Sequence, residues 1–100
     1  MKVDFNAEIK TLDGEGIRDD KGTLVTLKSI CVQALIAAFQ DEQDLAGVEK
    51  LKRYELAREI NHGGEIQMSA ENVVLLKKLI AKGFNVLVVG QTYGMLEGDK

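Results

Sequence analysis

Histidine and cysteine are almost missing from this chain: His62 and Cys31 are the single copies of each in 100 residues. General bases, nucleophiles and soft-metal ligands are drawn heavily from these two residue types, so most enzyme chemistry has nowhere to reside. One cysteine permits no internal disulfide, and a reducing compartment is the expected setting. Long apolar runs are also lacking. The stretches at residues 30–39 and 86–90 fall well short of the roughly 20 residues a membrane-crossing helix needs. Basic charge is not in excess either: the formal net charge is -3 and the pI about 5.1. That balance argues against a domain built to grip phosphate backbones. Asp4 and Glu8 interrupt the start of the chain where a signal peptide requires an apolar core, so export is not expected.

What is present is the composition of a folded domain, with 45% hydrophobic and 29% charged residues, far from the disordered regime. Residues 1–100 are read as a single domain, with no linker, internal repeat or low-complexity tract. Val3, Phe5, Ala7 and Ile9 alternate with Lys2, Asp4, Asn6, Glu8 and Lys10, the period of a strand with one buried face. Asp13-Gly14-Glu15-Gly16 supplies a turn, a polar strand around Ile17 returns antiparallel, and Asp19-Asp20-Lys21-Gly22 turns again into an extended Thr23-Leu24-Val25.

Helical spacing takes over from Thr26, an N-cap residue followed by Leu27, Ile30, Cys31, Ala34, Leu35 and Ala38. This helix, extended to Phe39, is apolar around most of its circumference and is expected at the centre of the core. After the polar tract at residues 40–44, a second helix over 48–60 carries Leu51, Tyr54, Ala57 and Ile60 on a drifting apolar stripe, and Gly63 and Gly64 end it. Residues 65–68 alternate as a short strand. Ser69 caps a third helix running to about Lys82, and Asn85 caps a fourth, which places Val86, Val89, Tyr93 and Leu96 on one face. The β-branched run 86–89 suits a strand equally well over four residues, but only a helix explains the spacing out to Leu96. Gly90 and Gly94 weaken that helix, and close packing of their face is the expected compensation.

Candidate chemistry is sparse. Asp13, Glu15, Asp19 and Asp20 form an acidic turn cluster, but Ile17 and Lys21 fall where a calcium loop needs ligands and Leu24 where it needs a glutamate, so no metal site is assigned. The same segment lacks the lysine and hydroxyl residue of a phosphate loop. Its carboxylates would meet any polyphosphate. His62 sits at a helix C-terminus, where a structural role suffices. Cys31 lies within an apolar helix and reads as a buried small hydrophobe. No catalytic, cofactor-binding or metal-binding residue is therefore assigned.

Leu24-Val25-Thr26-Leu27 leading into Cys31-Val32-Gln33-Ala34-Leu35, the stretch from Asp41-Glu42-Gln43 to Lys50-Leu51-Lys52-Arg53-Tyr54-Glu55-Leu56-Ala57, and Lys77-Lys78-Leu79-Ile80-Ala81-Lys82 followed by Val88-Val89-Gly90-Gln91 together carry a resemblance. The chain resembles small uncharacterised proteins of tailed bacteriophages and prophages, over nearly its full length. In those proteins a serine often starts the second helix, where this chain has Ala46. No activity or site residue comes with the resemblance. It implies a protein working in the bacterial host cytoplasm, either as a morphogenesis accessory or as an inhibitor of a host protein.

The expected fold is α+β: an N-terminal antiparallel β-hairpin over about residues 1–25, packed on a three- or four-helix core. The expected function is that of a non-enzymatic protein-interaction module for a phage or host protein partner, with Tyr93, Met95 and Leu96 as partner-binding residues and a homodimer as one possible assembly. The alternative is a small nucleic-acid-binding regulator using the basic helix around residues 50–58, through Lys52, Arg53 and Arg58. Glutamates interleaved on that helix weigh against nucleic acid.

Overall fold

The computed structural model describes residues 1–97. The period-two pattern begins as expected in β1 (Lys2–Asp4), which buries Val3 and exposes Lys2 and Asp4. Its ladder partner is distant in sequence: β2 (Glu65–Gln67) runs antiparallel to it with Val3 opposite Ile66. Backbone bonds extend the pairing at both ends, Phe5 N–H donating to Gly64 O at 2.9 Å and Met68 N–H to Met1 O at 2.6 Å. The strand stops short of Lys10 because Asp4 folds the chain back. Its carboxylate accepts from Asn6 N–H at 3.0 Å and its carbonyl from Ala7 N–H at 3.3 Å.

Beyond this kink the chain makes two successive antiparallel turns that are near copies of one another. Ile9 N–H donates to Val25 O (2.9 Å), Val25 N–H to Ile17 O (2.8 Å) and Ile17 N–H to Ile9 O (3.2 Å), closing a ring of three hydrogen bonds. Single antiparallel bridges flank it at Glu8 and Thr26, Lys10 and Gly16, and Arg18 and Leu24. The turns match at a shift of eight residues. Thr11 N–H donates to Glu15 O and Asp19 N–H to Thr23 O, while Gly14 N–H donates to Thr11 O and Gly22 N–H to Asp19 O. The side chains repeat the pattern: Thr11 Oγ1 accepts from Glu15 N–H at 3.2 Å, and Asp19 Oδ1 from Thr23 N–H at 3.0 Å. Gly14 and Gly22 both take positive φ, 87° and 81°, the conformation that selects glycine. An internal repeat is therefore present, contrary to the expectation from sequence. Only the β-branched Ile9, Ile17 and Val25, the basic Lys10 and Arg18, and Gly14 and Gly22 keep side-chain type across it.

The ring delivers the chain to α1 (Leu27–Ile36). All three leading N–H groups of this helix are satisfied from outside it. Leu27 donates to Ala7 O and Lys28 to Phe5 O, and Ser29 donates to Thr26 Oγ1 in a reciprocal capping box. The helix ends at Ile36, short of Phe39. Ala37 turns extended while its N–H still reaches Gln33 O, and Phe39 is thereby free to pack against Gly83. A connector carrying a 3-10 turn at Gln40–Glu42 then leads to α2 (Gly47–Asn61), where Gly63 beyond the last turn takes a φ of +75°. After β2 come α3 (Ala70–Gly83), capped by Ser69, and α4 (Val86–Leu96), capped by Asn85.

The architecture is α+β, with antiparallel extended segments at the N-terminal end and, among the described residues, four α-helices. α1 packs on both α2 and α3, and α4 packs on α3 and touches β1. Phe5, Ile9, Leu27, Ile60, Leu76, Ile80 and Leu96 are fully buried in one contiguous core. The hairpin edge at Lys10 is closed by a side chain: Gln91 of α4 accepts from Lys10 N–H at 2.8 Å and donates to Lys10 O at 2.5 Å. Among the described residues no helix is long and apolar enough to cross a membrane.

Two places carry less local stabilisation than the fold permits. Ala46 has the extended backbone of an N-cap but no side-chain acceptor. Gly90 faces open space: a Cβ added there would meet nothing within 4 Å, so the close packing expected of that helix face does not occur at this position. Ala46→Ser is expected to add about 1 kcal/mol by capping, and Gly90→Ala about 1 kcal/mol by helix propensity. Urea denaturation of each variant checks both.

Candidate functional site

Of the stripe its spacing suggested, α2 buries Ala57 and Ile60 but leaves Leu51 and Tyr54 exposed. Its inward face is Arg53, Leu56, Ala57 and Ile60, while Val48, Leu51 and Tyr54 stand 66%, 55% and 54% exposed. These three recur at three-residue spacing and so share a face of the helix. An arginine has taken an interior position, and an apolar stripe has been left in water.

Arg53 is 6% exposed, and it is tolerated inside because Glu42 meets it end-on. Nη1 donates to Oε1 at 2.7 Å and Nη2 to Oε2 at 2.8 Å, the forked geometry in which guanidinium and carboxylate pair most strongly. Lys82 of α3 adds a second cation, its Nζ 3.2 Å from Glu42 Oε2 and 3.1 Å from Asp41 Oδ2. The same Nζ lies 5.3 Å from the centroid of the Phe39 ring. The 3-10 turn is thus fastened to α2 by Arg53 and to α3 by Lys82.

This pairing sets the protonation of the cluster. The Arg53 hydrogen bonds hold the Glu42 carboxyl at about 2, with Lys82 assisting and burial opposing. Glu42 in turn raises the Arg53 guanidinium, and Asp41 with Glu42 raises Lys82. One donor is left over. Arg53 Nε is buried and has no hydrogen-bond partner among the described residues, a state that costs roughly 1–3 kcal/mol.

Between the end of α1, the connector and α2 lies a half-open pocket of about 580 Å³. Its walls are mostly apolar, with Leu35, Ile36, Phe39 and Leu45 prominent, and Glu42, Lys50, Arg53 and Tyr54 supply its polar groups. Ile36, at 64% exposure, continues the apolar wall to the surface. The volume and the mix of apolar wall with a few polar groups are those of binding sites generally.

The residues singled out from sequence are placed elsewhere or otherwise. Leu96 is fully buried. Tyr93 and Met95 are partly buried; the Tyr93 hydroxyl donates to Lys77 O at 3.1 Å, and Met95 packs against the core. The three do not form one exposed apolar patch. Of the basic set, Arg53 is inside and paired. Lys52 is exposed, 3.6 Å from Glu49, and Arg58 lies 5.7 Å over the Tyr54 ring. His62 is exposed at the end of α2 beside Glu55, Arg58 and Glu59. Cys31 is buried, and burial pushes its thiol up to about 12, which makes it inert as a nucleophile near neutrality. In the acidic turns Asp19 Oδ1 is taken up by the N–H groups of Lys21 and Thr23. Among the described residues no three potential metal-binding side chains gather.

Glu42 titrates well below its ordinary value of 4.5, so its pairing stabilises the fold fully above that pH and is lost as pH falls from about 4.5 to about 2. Arg53→Met leaves Glu42 with Lys82 as its remaining cation and is expected to cost about 2 kcal/mol, whereas the Glu42→Leu, Arg53→Met double variant recovers most of the loss. The double variant is also expected to lose the acid-sensitive part of its stability over that window. Urea midpoints measured against pH for wild type and both variants check this. Comparison with known protein families, curated proteins and solved structures finds no match to this chain.

Proposed function

We propose that this protein is a non-enzymatic protein-interaction module of a tailed bacteriophage or prophage, acting in the host cytoplasm as a morphogenesis accessory or as an inhibitor of a host protein. The phage setting rests on the sequence resemblance alone. The mode of action rests on the pocket, and above all on its mouth. Ile36 and Tyr54 are more than half exposed beside an apolar recess, and the surface continues along α2 through Leu51 and Val48. Apolar surface left beside a recess is a feature of protein interaction sites. Its extension past the recess favours a partner larger than a small molecule.

The alternative of nucleic-acid binding by α2 is weakened by Glu42, which occupies the Arg53 fork. Lys52 and Arg58 remain, separated by Glu55.

The test is affinity purification of the tagged protein from phage-infected or prophage-induced cells, with nuclease treatment and mass spectrometry. Virion proteins or one host enzyme are expected to survive the nuclease and to be lost with Ile36→Asp, a change at an exposed side chain whose folding is verified by circular dichroism. Partners that disappear with the nucleic acid would overturn the reading in favour of the α2 alternative. Partners indifferent to Ile36→Asp would move the site away from the pocket.

A further inference from the structure

The pocket has a polarity opposite to that of the chain. Among its lining residues Glu42 is the one carboxylate, and it is already matched by Arg53 and Lys82. Lys50 lines the same pocket, is exposed, and has no ion-pair partner among the described residues. Arg53 also lines it, but Glu42 already matches the guanidinium, so Lys50 is the cation of the lining left to meet a ligand. With two cations against one carboxylate the lining is net positive, on a protein whose formal charge is -3. Low-dielectric apolar walls strengthen the field such groups exert inside a recess.

We propose that the pocket receives an acidic amphipathic segment of a partner protein, an apolar side chain packing between Ile36 and Tyr54 and a neighbouring carboxylate held by Lys50. This rests on the reading of the chain as a protein-interaction module and specifies the chemistry of its partner. The apolar stripe at Val48, Leu51 and Tyr54 gives the segment a track along α2, and the spare cationic charge fixes which flank of it carries the acid. Lys50 is the discriminating residue: it is exposed and stands outside the Glu42 cluster, so its replacement leaves the buried pair intact.

The experiment uses the full chain and two short synthetic peptides that share the same leucine and phenylalanine positions, one with glutamate and the other with lysine at the flanking positions. Binding is followed by fluorescence anisotropy. The glutamate peptide is expected to bind at least about tenfold more tightly than the lysine peptide, and Lys50→Glu to abolish that preference. Ile36→Asp is expected to remove binding of both. Equal affinities for the two peptides, or a preference untouched by Lys50→Glu, would overturn the acidic-partner inference while leaving the interaction-module reading in place. Binding of decanoate to the pocket with neither peptide bound would make it a small-molecule site and overturn both. A dimer in sedimentation that Ile36→Asp dissolves would show a second copy in place of the acidic segment. Failure of peptides and decanoate alike would also sink the inference.

Discussion

A carboxylate and a guanidinium, both withdrawn from water, hold the irregular middle of this chain in place. Glu42 and Arg53 meet through two parallel hydrogen bonds, and Lys82 reaches the same carboxylate from α3. The pairing adds to the packing of Phe39 on the core and the Lys82 bridge to Asp41 in fixing the stretch from Ala37 to Ala46. The 3-10 turn of that stretch buries no side chain fully, and it leads into α2 with no side-chain cap. A buried ion pair gains little over a well-packed apolar pair. What it supplies here is position: the connector stands off from α2 at a set distance, and the recess between them has a defined shape.

The regular parts of the fold were legible because their signals are local. Thr26, Ser69 and Asn85 each accept the backbone hydrogen bond their residue type suggests, and the tail, which the β-branched run 86–89 left open to a strand, follows the favoured helical spacing out to Leu96 as α4. The strand at residues 65–67 was visible as a brief alternation, but nothing in the sequence shows that its partner is β1. The eight-residue repeat escaped because hydrogen-bonding roles, more than residue types, are what it conserves: a threonine hydroxyl in one turn does the work of an aspartate carboxylate in the next.

The site was harder to read, for a related reason. Arg53 sits among Lys50, Lys52, Glu49 and Glu55, and such a mixture ordinarily marks a solvated helix face. Its partner lies in a polar tract on another element. Charge alone cannot show which member of a basic group turns inward, because that depends on a counter-charge brought up by the tertiary fold. With Arg53 inward beside Leu56, Ala57 and Ile60, the residues on the other side of the helix, Val48, Leu51 and Tyr54, form the exposed apolar surface. Tyr93, Met95 and Leu96 attracted notice as apolar residues near the end of the chain, yet α4 needs Leu96 to close the core.

The hydrogen-bonded ring at Ile9, Ile17 and Val25 is a cycle, and a cycle has no free end. An ordinary hairpin loosens from its open end one pair at a time, whereas each of these three segments is held by the other two. Sliding any one of them by a residue would break its bonds to both neighbours together, so register errors carry a double penalty. The carbonyls that receive the first turn of α1 lie just before this cycle, on Phe5 and Ala7, and Thr26 just after it. The central helix therefore begins on an all-or-none support, which couples the start of the core to a segment with almost no regular secondary structure of its own.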